Sequence, residues 1–314
     1  MKDSLALVIV TYNRCVDLAV TMSAIAAMAS DFDFLVVVDN ASTDDTQVVL
    51  ANLPLEISAK LHILTLPSNT GGAGGFHFGI QKAMQLGADW IWSSDDDAVP
   101  QPGCFKELMK QAKNPMHAYG STAISNASEE GELCWPAPAA PNSPRYQPRL
   151  LEKQSECEET ELVSTLPFLG LTVSSELVER VGLPNRSYFI SGDDFEYCIR
   201  LKAAGAKLIL VRESVLKHPL IPRYIVDFKV WKIYCLSMPP WRRIYDCRNR
   251  LWNSRLERGV LWAALTTLSL GSRLFLTLIM ESSKKEQFFA YIKGIWLGWT
   301  NYGYSREPRH TEFN

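Results

Sequence analysis

Short unbroken apolar runs alternating with helical patterns fill the first third of the chain, and few folds accommodate that arrangement. Residues 5–10 form a β-branched run, and residues 16–28 follow as an alanine-rich helical stretch. A second run at 34–38 leads to Ser42-Thr43-Asp44-Asp45, a helix-start signature, before a helix near 47–52. Residues 61–66 predict a third strand, 76–86 a third helix, and 90–92 a fourth strand running straight into three aspartates. Strands that are apolar on both sides are covered on both sides. That predicts an α/β fold: a Rossmann-like, mostly parallel sheet with helices on either face. In such sheets ligands sit at the carboxyl ends of the strands, so the polar residues that follow each strand carry the site.

The later sequence is organised differently. Over 125–160, Pro136, Pro138, Pro141, Pro144 and Pro148 alternate with Ala, Ser and Asn ahead of an acidic run at 156–161, which predicts an irregular insertion. Regular patterning resumes at 162–171, with a helix near 174–181, another starting at Asp193 and a strand at 207–211. These segments predict an α/β domain over 1–220 and a helical, basic, tryptophan-rich subdomain over 221–314.

Charge supports that division. The formal net charge of −2 conceals 17 Lys/Arg against 27 Asp/Glu in residues 1–220, and 15 against 7 in residues 221–314. The whole-chain balance gives no sign of a nucleic-acid binder, and a basic tail on an acidic body fits the headgroups of a membrane surface better. The tail holds Trp231, Trp241, Trp252, Trp262, Trp296 and Trp299, and the apolar stretch Val260–Met280. That stretch has the length of a membrane span but carries Ser269, Ser272 and Arg273. An interfacial helix is the expectation, with a true span or a helix packed on the α/β domain as alternatives. Arg242, Arg243, Arg248, Arg250, Arg255 and Arg258 are the expected headgroup contacts, with Trp241 and Trp252 seated at headgroup depth.

Apolar residues make up 47% of the chain, enough for a packed core and against disorder. Seven scattered cysteines without CxxC spacing fit a reducing compartment, and the apolar run at 5–10 is too short for a secretory signal. The expectation is a cytoplasmic protein, peripheral on the inner membrane.

Asp95-Asp96-Asp97 follows the fourth strand. Adjacent carboxylates repel one another unless a cation neutralises them, and a hard divalent ion shared with a diphosphate does so. A solvated acidic turn is the plain alternative. Asn69-Thr70-Gly71-Gly72-Ala73-Gly74-Gly75-Phe76 reads as a glycine-rich loop leading into a helix, where backbone can approach an anionic ligand. It matches neither the GxGxxG dinucleotide fingerprint nor the GxxxxGK(S/T) phosphate loop. Asp39-Asn40 ends the second strand, where a carboxylate can accept from a ribose or base edge; helix capping by Ser42 or Thr43 explains the segment as well. Asp193-Asp194-Phe195-Glu196 opens a helix after Gly192. Acidic residues there complement the helix dipole, and one aimed into the cleft would be a general base. His218 follows the strand at 207–211, and a lone histidine is more often structural than a ligand.

Five segments occur in the order found in family 2 glycosyltransferases: Leu7-Val8-Ile9-Val10-Thr11-Tyr12-Asn13-Arg14, Val38-Asp39-Asn40-Ala41-Ser42-Thr43-Asp44, residues 69–76, Asp95-Asp96-Asp97-Ala98-Val99-Pro100, and Gly192-Asp193-Asp194-Phe195-Glu196-Tyr197. The chain resembles that family over residues 4–220, and within it is most similar to bacterial galactofuranosyltransferases, with rhamnosyltransferases as close neighbours. Tyr245-Asp246-Cys247-Arg248-Asn249-Arg250 resembles their Tyr-Tyr-x-x-Arg-Asn segment, with Asp246 in place of the second tyrosine.

The resemblance implies a GT-A fold that binds a nucleotide-sugar. It implies inverting, metal-dependent transfer of galactofuranose from UDP-galactofuranose to a glycan or lipid-linked glycan acceptor, in cell-surface polysaccharide synthesis such as that of an O-antigen. A dTDP-rhamnose-dependent enzyme is the alternative reading, and a non-catalytic nucleotide-sugar-binding scaffold the other. By the same resemblance Thr11, Asn13, Arg14, Asp39 and Asn40 hold the nucleoside. Asn69, Gly71, Gly72, Gly74 and Gly75 lie along the diphosphate and donor sugar, with Asp95 and Asp96 beside them. Asp95, Asp97 and His218 ligate a divalent metal, Mn2+ or Mg2+. Asp194 is implied as the catalytic base, with Asp193 orienting the acceptor.

Overall fold

The computed structural model describes residues 3–140, 149–220, 223–227 and 232–302; Pro141, Pro144, Pro148 and Trp231 lie outside them. The first elements are β1 (Leu5–Thr11), α1 (Cys15–Ala26), β2 (Phe34–Asp39), α2 (Thr46–Ala51), α3 (Leu55–Ser58), β3 (Leu61–Thr65), α4 (Gly71–Gln85) and β4 (Trp90–Asp95). Then come β5 (Val99–Pro100), α5 (Cys104–Gln111), β6 (Ala118–Ser125), β7 (Glu132–Pro138), β8 (Leu150–Lys153), β9 (Thr160–Leu162), β10 (Leu171–Ser174), α6 (Ser175–Val181), α7 (Asp193–Ala203) and β11 (Leu208–His218). A two-stranded ribbon, β12 (Arg223–Asp227) and β13 (Lys232–Leu236), precedes α8 (Pro240–Arg258), α9 (Val260–Met280) and α10 (Lys284–Thr300).

The main sheet has the order β3-β2-β1-β4-β10-β6-β11-β5, with β7 and β8 extending from β6 and β9 on β11. β3, β2, β1 and β4 run parallel, as do β6 and β11, and β10 is inserted antiparallel between β4 and β6. The pleat divides the core in two. Val8, Val10, Val36 and Val38 pack with Phe76 and Ile80 of α4, whereas Leu7, Ile9, Leu35 and Val37 pack with Leu18, Met22 and Ile25 of α1. Parallel register sets Thr11 beside Asp39, Asp39 beside Thr65, and Val10 beside Asp95. The polar strand ends therefore form one rim. Because β2 and β4 flank β1 on opposite sides, that rim is the switch point of the sheet.

Several expectations change. Residues 69–76 are not a loop: α4 begins at Gly71 and the glycines lie in its first two turns. The helix rests directly on β1, and a Cβ at Gly75 would stand 2.3 Å from Cγ1 of Val10. Residues 125–160 are not wholly irregular, because β7 and β8 pair antiparallel and bury Leu133, Cys134 and Leu151. Pro136 and Pro138 are tolerated because β7 is sparsely laddered, meeting β6 only at Leu133. The strand expected at 207–211 continues past an irregularity between Val211 and Val215 to end on His218 itself.

The membrane expectation for α8 also changes. Arg243 and Trp252 are 3% and 2% exposed. Arg243 pairs with Glu281 at 2.7 Å, Arg250 with Asp246 at 3.0 Å, and Trp252 meets the Tyr188 ring edge-on. Trp241 remains exposed. α10 lies tightly against α8, since a Cβ at Gly294 would stand 2.6 Å from the Ile244 carbonyl oxygen. α9 differs: Leu261, Leu268, Phe275 and Ile279 are exposed, and it is the one helix among the described residues long and apolar enough to cross a membrane.

Candidate active site

The rim is built around the end of β4. Asp95 closes the strand and a turn carries Asp96 and Asp97. Thr21 Oγ1 of α1 donates to the Asp96 carbonyl at 2.7 Å, fixing the turn. Arg14, in the turn after β1, forms an ion pair with Asp97 and lies 3.4 Å from Asp96. It supplies positive charge to the triplet, its guanidinium standing on the carboxylates at the rim. Burial, reinforced by Asp97 and Asp96, pushes Asp95 up to about 7, and burial raises Asp96 to about 6. Burial also opposes the charge on Asp97, but His218 and Arg14 outweigh it and hold Asp97 below its ordinary value. His218 Nε2 stands 3.3 Å from Asp97 Oδ1. Burial disfavours the imidazolium, yet Asp97 overcomes it and lifts His218 to about 10.

His218 Nδ1 is buried without a hydrogen-bond partner, and Asp97 Oδ1 faces His218 Nε2. A carboxylate and an imidazole side by side at a strand end are donor types that suit a divalent cation shared with a diphosphate. The expected trio is not assembled, however. The chain turns after Asp95, Asp97 is the carboxylate in contact with His218, and among the described residues no three His, Cys, Asp or Glu side chains converge. Trp135, in the segment expected to be irregular, sets its ring edge-on to His218 with centroids 5.9 Å apart.

On the other side of the rim, Thr11, Asp39 and Asn40 are 1%, 1% and 2% exposed. Asp39 accepts from Ser42 N at 2.8 Å and from the Gln47 side-chain amide. Asn40 accepts from Thr70 N at 2.8 Å and donates to the Gly71 carbonyl at 2.9 Å. Asn13 Oδ1 accepts from Thr43 N at 2.7 Å, and Asn69 Oδ1 from Gly71 N at 2.8 Å. These residues lie at the predicted rim, but their polar atoms knit its turns together. Of the four glycines expected along the donor, Gly74 faces Thr70, Gly75 faces Val10 and Gly71 faces Phe189. Gly72 alone has room beside its Cα, its nearest neighbour being Phe76 Cε2 at 3.9 Å.

Asp193 and Asp194 open α7 behind an unusual peptide. Phe189, Ser191 and Gly192 all have positive φ, at 63°, 69° and 79°. Left-handed backbone costs a non-glycine residue about 1–3 kcal/mol and persists only where the surroundings enforce it. Burial raises both aspartates, most strongly Asp193, to which the charges of Asp194 and Asp95 add. Phe195 N donates to Asp194 Oδ1 at 2.7 Å, and Arg242 lies close enough to favour the Asp194 charge. The rim thus brings together the end of β4, the end of β11 and the start of α7, an arrangement able to hold a polyanion and a proton acceptor side by side. α8 contributes to it as well: Arg248, Asn249 and Asn253 reach the carbonyls of residues 187–192. The signal available in sequence was the Arg248-Asn249 pair, noted there without a role.

Residues 6–164 match the family described as Glycosyl transferase family 2. The galactofuranosyltransferase GlfT1 of Mycobacterium tuberculosis is 29% identical over 261 residues, 80% of this chain and 82% of that protein. The dTDP-rhamnosyl transferase RfbF of Shigella flexneri is 24% identical over 306 residues, 94% of this chain and 96% of that protein. Among solved structures, the mannosyltransferase PcManGT from Pyrobaculum calidifontis, in complex with GDP-Man and Mn2+, matches with a TM-score of 0.54 at 13% identity, covering 94% of this chain and 88% of that one. That likeness is one of fold, the GT-A arrangement of sheet and helices.

Proposed function

Because the chain belongs to glycosyl transferase family 2, we propose that it is an inverting galactofuranosyltransferase that uses UDP-galactofuranose and a glycan or lipid-linked glycan acceptor. The observation that carries this reading is the likeness to GlfT1 over most of the chain, with the strand-end aspartates and Asp193–Asp194 on one rim. The likeness to RfbF keeps dTDP-rhamnose as the second donor to test.

Asp194 accepts the proton of the acceptor hydroxyl as that oxygen attacks the anomeric carbon. The bond from this carbon to the diphosphate oxygen breaks on the opposite face, and the nucleoside diphosphate leaves with the electron pair. A single displacement with a single base inverts the anomeric centre. Burial gives Asp194 a higher proton affinity than an ordinary carboxylate, which suits a proton acceptor. Asp193 orients the acceptor. Asp97 and His218, with Asp95 nearby, are the residues that would hold a divalent ion, which when bound would offset charge developing on the departing diphosphate. The enzyme works at the cytoplasmic face of a membrane, a reading supported by exposed Leu268 and Phe275 on α9, exposed Phe289 and Trp296 on α10, and the exposed Lys284 and Lys285 in the first turn of α10.

The test is turnover of purified protein with UDP-galactofuranose or dTDP-rhamnose, Mn2+ and a panel of lipid-linked glycosides, with products read by mass spectrometry. Turnover with UDP-galactofuranose is expected, and Asp194→Asn should lower kcat roughly 10²–10⁴-fold with donor affinity retained. The acid limb of kcat should lie above the ordinary carboxylate range, the rate falling as pH drops and Asp194 takes up its proton. Turnover with dTDP-rhamnose alone would transfer the chain to the other donor. A large loss in Asp193→Asn with none in Asp194→Asn would reassign the base.

A further inference from the structure

Asn249 and Asn253 are 1% and 5% exposed, and both spend their side chains on one peptide of another element. Asn249 Nδ2 stands 3.0 Å from the Tyr188 carbonyl, 3.0 Å from that of Ile190 and 2.7 Å from that of Ser191. Asn253 Nδ2 donates to the Gly192 carbonyl at 2.8 Å, and its Oδ1 accepts from the Tyr188 hydroxyl at 2.7 Å. Arg248 donates to the Ser187 and Tyr188 carbonyls, both at 2.8 Å. Only the Phe189 carbonyl turns elsewhere, to Ala73 N of α4 at 3.1 Å, while the Phe189 ring stacks on Tyr245 of α8 at 4.8 Å.

From this geometry we infer that Asn249 and Asn253 are positioning residues, holding Phe189, Ser191 and Gly192 at positive φ and thereby setting the direction of Asp193 and Asp194. The mechanical link is short. The Gly192 carbonyl and the Asp193 nitrogen belong to one planar peptide, so the Asn253 hydrogen bond fixes the plane from which α7 departs. Released from α8, Phe189 and Ser191 would relax out of positive φ, and the start of α7 would swing with them. Buried amide groups could also exist only to satisfy one another, and the test separates that role from positioning.

The inference rests on the proposed function for the role of the two aspartates, so the experiment includes a readout independent of any donor. Asn253→Asp and Asn249→Asp keep shape but turn an oxygen towards the carbonyls that were bonded. Hydrogen exchange of the amides of residues 187–196 should accelerate in both, with the central sheet unchanged. Per folded molecule, kcat should fall about 10²-fold while the Kd for UDP with Mn2+ stays within about twofold, the pattern of a displaced catalytic group. Tyr188→Phe, which removes one hydroxyl, should show the same pattern more weakly, and it serves if Asn249→Asp does not fold. Unchanged exchange, or a loss confined to UDP affinity with kcat intact, would overturn the inference. If the wild-type protein turns over neither donor, the proposed function fails and the exchange measurement alone decides the clamp.

Discussion

Helices α8 and α9 follow one another across Gly259 and reverse the usual relation between composition and burial. α8 carries six arginines, yet most of its length is buried or half-buried; α9 is made largely of Leu, Thr, Ser and Phe, yet 12 of its 21 residues are exposed. The difference lies in partners. Arg243 has Glu281, Arg250 has Asp246, and Arg248 has two carbonyls and the faces of Tyr245 and Trp252 at 4.9 and 4.2 Å. Guanidinium groups supplied with carboxylates, carbonyls and aromatic rings can be buried. Leu261, Leu268 and Phe275 have no comparable partners and lie exposed among the described residues.

The largest effect that would test this contrast is at a buried pair. Arg243→Ala leaves Glu281 charged and buried, which should cost about 3–5 kcal/mol in urea unfolding. Arg258→Ala, at an exposed site on the same helix, should stay within about 0.5 kcal/mol. Equal effects would erase the distinction drawn for α8.

A second pair of substitutions should differ in sign. Gly294→Ala forces a methyl group into the Ile244 carbonyl and should destabilise by about 1–3 kcal/mol. Gly271→Ala on α9 meets nothing within 4 Å and should stabilise by about 0.5–1 kcal/mol through helix propensity alone. A loss at Gly271 measured by thermal unfolding would mean that α9 is covered after all.

The smallest effect on stability belongs to α9's outer face. Leu268→Gln together with Phe275→Gln should change unfolding by less than about 0.5 kcal/mol per site. The same double substitution should sharply reduce flotation with anionic liposomes at low salt. Wild-type flotation that is weaker at high salt marks surface attachment, whereas salt-independent recovery on neutral vesicles marks insertion.

Much of the sheet was legible because Leu7, Ile9, Val36 and Val37 are apolar on both faces, a pattern with few solutions, and because the aspartates directly follow such a run. The glycine segment was misplaced for a definite reason. Clustered glycines serve equally a mobile loop and a helix pressed on a strand, and the difference resides in Val10, on another element. The helix start at Asp193 was legible, but the left-handed Phe189 and Ser191 ahead of it have no compositional mark. Arg14 could not be assigned to Asp97 because the two are brought together only by the pairing of β1 with β4. The same holds for α8, whose arginines read as surface charge until Glu281 and Tyr188 are folded against them.

Charge and hydrogen bonding draw the edge of the catalytic unit at different residues. The sign of the net charge changes near residue 221, which invites a modular cut there. Such a cut would keep every aspartate of the rim and strip the carbonyls of Ser187, Tyr188, Ile190, Ser191 and Gly192 of their donors. Measured by the bonds that cross it, the unit reaches at least through α8, and the buried Arg243–Glu281 pair carries the tie past Gly259 to the end of α9.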